Sequence, residues 1–82
     1  MITELDVIEA YKYWHKQGMI PPKVKGINDF KKRIRDMQQY YRNVKPDIFH
    51  AAIVVIGRGR SRRWPTMFDI NQAIEQQIKL ND

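Results

Sequence analysis

Four arginines lie within the six residues from 58 to 63, as Arg58, Arg60, Arg62 and Arg63, and Trp64 follows them directly. A guanidinium group presents a planar fork of donors that binds phosphate or carboxylate oxygens. Gly57 and Gly59 favour a flexible connection at the start of this arginine segment. We therefore expect residues 58–63 to bind a negatively charged partner, with Trp64 stacking on a base or anchoring an interface.

The same residues also have a structural interpretation, which the sequence leaves open. Trp64 would then cover the core between the third and fourth helices, and the arginines would be solvated side chains. For Trp64 the core position is the stronger prediction, because large aromatic residues bury most of their surface in small domains. For the arginines we favour binding, since four in six residues exceed what solubility requires.

A second basic stretch lies at residues 23–45, where eight lysines and arginines outweigh two aspartates, in a chain of net charge +6. Lys31, Lys32 and Arg35 are predicted on the polar side of a helix and would extend the basic surface. Such segregated charge favours single- or double-stranded DNA or an acidic protein as the partner. The alternative is a solvated face without a partner.

Groups that could support catalysis are few. The chain has one serine, Ser61, two histidines, His15 and His50, and no cysteine. His50 lies in an apolar segment and is expected to be a buried core histidine, while His15 suits the negative end of a helix. No spacing typical of a metal site or a nucleophile–base pair is present. We predict no enzymatic activity, no metal, no cofactor and no small-molecule substrate.

The elements that must position these side chains are predicted to be helices. Capping boxes, a hydroxyl followed three residues later by an acid, occur at Thr3 and at Thr66. Asn28-Asp29 is expected to cap the second helix, and Gly57 to end a third helix that is apolar nearly all round. The patterns predict an all-α, compact four-helix domain over residues 1–82, with helices at about 4–17, 29–43, 47–56 and 67–79.

Targeting signals are not evident in the sequence. The first residues carry no basic start followed by an apolar run, so no secretory signal is predicted. The longest apolar run, residues 51–56, is far shorter than a membrane span. We expect a cytoplasmic protein without a membrane partner, in the cytoplasm of the host cell if a phage encodes it.

Two short motifs follow one another between residues 27 and 75. An acid-led helix of the type D-x-x-x-A-A-I is carried by Asp47, Ala51, Ala52 and Ile53. After a polar connection comes an aromatic-Pro-Thr/Ser-x-x-Asp/Glu-Ile motif, carried by Trp64, Pro65, Thr66, Asp69 and Ile70. With the amphipathic helix before them, these motifs resemble the phage replicative-helicase loader family. The arginine segment is denser in charge than the family pattern requires.

The resemblance implies a small helical protein that binds a hexameric replicative helicase, restrains it, and delivers it to an origin-bound initiator or to single-stranded DNA. The sequence therefore predicts a non-enzymatic adaptor in phage or plasmid DNA replication, whose partner is a replicative helicase or another replication protein. Two other functions stay open. The chain would be a direct nucleic-acid-binding module using the arginine segment, or a small inhibitor docking on an acidic host protein.

Overall fold

Local sequence signals account for where each helix begins. The computed structural model describes residues 1–59 and 61–81 of the chain. These residues form four helices: α1 (Glu4–Lys16), α2 (Ile27–Tyr41), α3 (Pro46–Arg58) and α4 (Met67–Leu80). The all-α four-helix prediction is confirmed. No helix in the described part of the chain is long and apolar enough to cross a membrane.

Both predicted capping boxes are formed. In α1 the Thr3 N–H donates to the Asp6 carboxylate at 2.8 Å, and the Asp6 N–H donates back to the Thr3 hydroxyl. In α4, Thr66 and Asp69 make the same pair of hydrogen bonds, at 2.9 and 3.3 Å. Each box satisfies backbone donors that a helix N-terminus otherwise leaves without partners, and so defines the first residue of its helix.

The predicted cap of α2 is wrong. The helix begins at Ile27, two residues earlier than expected, after Gly26 at φ 152°, a conformation that favours glycine. Asp29 instead lies in the first turn, where its carboxylate accepts the Lys25 N–H at 3.1 Å. An acidic group in this position is stabilised by the positive end of the helix.

The expectation that Gly57 ends α3 is also wrong. The helix continues to Arg58 and is capped by Gly59, so Arg58 is helical rather than part of a loop. Gly57 is buried inside the last turn, and a Cβ atom there would overlap with the ring of Tyr13. Glycine at this position therefore serves close packing of α1 on α3.

The four helices alternate in direction. The Ile2 N–H donates to the Arg42 carbonyl at 3.2 Å, which places the start of α1 beside the end of α2. The Ile20 N–H donates to the Arg62 carbonyl at 2.8 Å, which places the end of α1 beside the segment that leads into α4. Close backbone packing joins α1 to α2, α1 to α3, and α3 to α4.

Trp14 lies at the centre of the core and is fully buried. Its indole N–H donates to the Ile53 carbonyl of α3 at 3.0 Å, so the one polar atom of the side chain is satisfied. Buried apolar side chains from all four helices surround it, among them Val7, Met37, Ile53 and Ile70.

The apolar segment of α3 is less enclosed than its sequence indicates. His50 is exposed, so the prediction of a core histidine is wrong, and Val55 is 46% exposed. The reason is geometric, because the backbone of α3 lies close to α1 and α4, whereas His50 and Val55 are exposed to solvent. Along α4, Met67 and Ile78 of the predicted buried face are likewise about half exposed, at 42% and 47%.

A candidate polyanion interface

Six exposed basic residues gather at one end of the helical domain. This basic end comprises the last residue of α1, the connection to α2, the last residue of α3 and the segment before α4, carrying Lys16, Lys23, Lys25, Arg58, Arg62 and Arg63. The Ile20–Arg62 hydrogen bond and the packing of Tyr13 on Gly57 hold these parts of the chain together. Residues 40 positions apart in sequence therefore contribute to one positive surface.

The described arginines of the predicted site are free to meet a partner. Arg58, Arg62 and Arg63 are all exposed. Within residues 1–59 and 61–81 the ion pairs are Lys32–Asp36 at 2.8 Å and Arg33–Asp29 at 3.8 Å, and neither involves these three side chains. Arg60, the fourth predicted arginine, lies outside the described residues.

Two carboxylates near the basic end are occupied by the protein's own helix starts. Asp29 accepts the Lys25 N–H, and Asp69 accepts both the N–H and the hydroxyl of Thr66. The backbone N–H of Thr66, then its hydroxyl, and then the positive charge of Arg63 hold the pKa of Asp69 below its usual range. Both acids thus serve as helix-start groups, and neither makes an ion pair with Arg58, Arg62 or Arg63 within the described residues.

Trp64 is half-buried and packs against the core. Its ring meets Tyr11 at 5.1 Å between centroids and Trp14 at 5.2 Å, with interplanar angles of 84° and 87°. These edge-to-face contacts fix the ring against α1, where the sequence had suggested a position between α3 and α4. The indole therefore packs on the core on one side and lies next to Arg63 of the basic end in the chain.

The three side chains of α2 that were predicted to extend the basic surface are Lys31, Lys32 and Arg35. Lys31 and Arg35 line a groove between α1 and α2 together with Glu4 and Ile8. Lys32 is engaged in its ion pair with Asp36. Arg58, in contrast, lines the groove on the α3 side of α1. The described grooves do not place Lys31 or Arg35 beside Arg58, so the extension of the basic surface along α2 stays a prediction.

Sequence reasoning missed two residues that the fold brings to Trp64. Tyr40 and Arg33, both on α2, line a cleft whose other wall is formed by residues 64–67. Tyr40 is 62% exposed, although aromatic residues in a small domain are usually buried. A signal was available, because Tyr40 falls outside the apolar stripe of α2 while the adjacent Tyr41 belongs to it.

Metal chemistry finds no support at the described positions. In residues 1–59 and 61–81, no group of three or more histidine, cysteine, aspartate or glutamate side chains is placed to hold a metal ion. His15 and His50 are both exposed and lie on different helices.

Comparison with known proteins adds no assignment to this geometry. No protein-family model matches the chain, and neither a curated protein nor a solved structure matches it.

Proposed function

We propose that this protein is a non-enzymatic adaptor in phage or plasmid DNA replication that holds a negatively charged partner on its basic end. The partner is a replicative helicase or initiator, as the resemblance to the helicase loaders implies. The observation that carries the proposal is the exposure of Arg58, Arg62 and Arg63 outside the chain's described ion pairs. Arg58 is the last residue of α3, and the Arg62 carbonyl accepts the Ile20 N–H, so these side chains are presented from a folded framework.

Direct binding of DNA by the same surface is the second candidate function. Lys16, Lys23 and Lys25 lie at the same end of the domain as the arginines, which adds positive charge for successive phosphates. Guanidinium groups also bind phosphate oxygens in a bidentate manner, which lysine cannot do. An acidic protein surface would require carboxylates in matching positions, whereas any stretch of DNA supplies evenly spaced charges.

Titration of fluorescently labelled DNA tests this second function. Single strands and duplexes are measured by anisotropy at about 50 and about 200 mM salt. With three phosphate contacts, the affinity for duplex DNA should fall about 40-fold between these conditions, since each contact adds about 0.9 to the slope of log K against log salt. Binding should also show little sequence preference.

A variant with Arg58, Arg62 and Arg63 replaced by alanine should lose most of this affinity while keeping its melting temperature. The matched control removes three exposed cations from the opposite end, in Arg42→Ala, Lys45→Ala and Lys79→Ala. Both variants lose the same charge, and each removes one cation from the last turn of a helix. Equal losses in the two variants would show that only net charge matters and would contradict the assignment of the basic end.

The adaptor function is tested by co-elution with a purified hexameric replicative helicase in the absence of DNA. Co-elution that the triple arginine variant abolishes and the control variant retains supports the adaptor. If the protein binds neither the helicase nor DNA at the lower salt concentration, both candidate functions are refuted.

A further inference from the structure

A cleft opens beside Trp64, between α1, α2 and the segment that enters α4. Its volume is about 460 Å³, and its walls include Tyr11, Arg33, Met37, Tyr40, Trp64 and Met67. Sites for small organic groups in proteins commonly have volumes of about 300–1,000 Å³. The cleft is therefore large enough for a flat ring system to enter.

One aromatic wall of the cleft is fixed before any ligand arrives. Tyr40 packs edge-on against Tyr41, with 4.9 Å between ring centroids and an interplanar angle of 78°. On the other side Trp64 is held by its contacts with Tyr11 and Trp14. Because the Trp64 ring does not need to be ordered on binding, a ligand stacked on it gains affinity at low entropic cost.

The rim of the cleft carries positive charge that is only weakly compensated. Arg33 lines the cleft, and its side chain is 43% exposed, with Nε 3.8 Å from the Asp29 carboxylate. Asp36, the acid on the rim, is paired with Lys32 at 2.8 Å. Arg63 precedes Trp64 and belongs to the basic end. A flat ring with an anionic group on each side complements this arrangement.

We propose that the cleft accepts one base of single-stranded DNA, with the flanking phosphates lying on Arg33 and on Arg63, the arginine that precedes Trp64. The inference rests on the proposed DNA-binding function and specifies its ligand. In a duplex the bases are stacked and paired, so entry of a base would require flipping at a cost of a few kcal/mol. An aromatic side chain of a partner protein would also fit between the walls of the cleft. It would not bring a phosphate to the guanidinium groups on either side, so a base of DNA fits the charges better.

The test compares two ligands with the same phosphates. One is oligothymidylate of about 15 nucleotides, within the length range of single-strand sites, and the other is an abasic sugar-phosphate chain of the same length. The protein should bind the oligothymidylate about 5- to 150-fold more tightly, the range expected for one stacked base. Tyr40→Ala should remove this preference and Tyr40→Phe, which keeps the ring, should retain it.

Phe68→Ala is the matched control for loss of an exposed ring. Phe68 is 69% exposed, lies on the first turn of α4, and is not part of the cleft. Melting temperatures of all variants establish that they are folded. In nuclear magnetic resonance spectra, the indole signal of Trp64 should shift when oligothymidylate is added.

Two results would overturn the inference, and they are distinguishable from failure of the DNA-binding function. If the protein binds both ligands with equal affinity, and the triple arginine variant loses affinity for both, base binding in the cleft is refuted and phosphate binding by the basic end is supported. Retained preference for oligothymidylate in Tyr40→Ala would refute stacking at this site. Absence of binding to either ligand at low salt would refute both proposals.

Discussion

Gly57→Ala is expected to destabilise the protein, although alanine is the better helix former. Gly57 lies in the last turn of α3 and is buried. A Cβ atom added there would overlap with Cε2 of Tyr13 and would lie 3.0 Å from Cδ2. The Tyr13 ring would have to move, and its packing between α1 and α3 would be disturbed.

The magnitude follows from two opposing effects. Alanine in place of glycine inside a helix contributes about 1 kcal/mol of stability. Overpacking of a tight contact costs about 1–3 kcal/mol. Taking the middle of that range, Gly57→Ala should lower the free energy of unfolding by about 1 kcal/mol. For a domain of this size that corresponds to a melting temperature lower by about 4–8 °C.

A double-mutant cycle with Tyr13→Ala isolates the contact. Thermal unfolding followed by circular dichroism is measured for the unmodified protein, both single variants and the double variant. With the Tyr13 ring removed, only the helix preference remains, so Gly57→Ala should then raise the melting temperature. The reasoning is refuted if Gly57→Ala stabilises the protein while Tyr13 is present, because the ring would then impose no steric limit.

Two further predictions concern stability. Trp14→Phe removes the indole donor to the Ile53 carbonyl and leaves unfilled volume in the core, so urea denaturation should show a loss of about 2–3 kcal/mol. The pKa of Asp69 is lowered from its ordinary value of 3.8 by the hydrogen bonds from Thr66, so its stabilising contribution is fully present above that pH. This contribution should be lost as the pH falls through the lower folded-state pKa. The melting temperature of Asp69→Asn should therefore depend less on pH below about 4, and an unchanged pH dependence would contradict the prediction.

The helix starts show how far local sequence signals reach. The boxes at Thr3 and Thr66 were predicted because each depends on hydrogen bonds between residues three positions apart. The start of α2 was placed incorrectly, since Asn28 and Asp29 are common cap residues whereas Gly26 makes no side-chain cap at all. Helix boundaries without a side-chain cap carry a weaker signal in the sequence.

The errors at Gly57 and His50 have a different origin. Glycine is frequent after a helix, but here it lies within one because Tyr13, 44 residues earlier in the chain, occupies the space of a side chain. His50 lies among apolar residues, yet it is exposed because α3 has neighbours on only part of its circumference. Neither fact is contained in the local pattern, since each depends on which helix packs where.

The amino-acid sequence by itself determined the four helices, the two capping boxes and the density of positive charge in residues 58–63. These depend on backbone preferences and on contacts between residues a few positions apart. Tertiary structure alone decided that Lys16, Lys23 and Lys25 lie at the same end as the described arginines, that Lys31 and Arg35 line a groove with Glu4 of α1, and that Tyr40 and Trp64 line one cleft. The physical reason is that these arrangements depend on the directions of packed helices, which bring distant residues together.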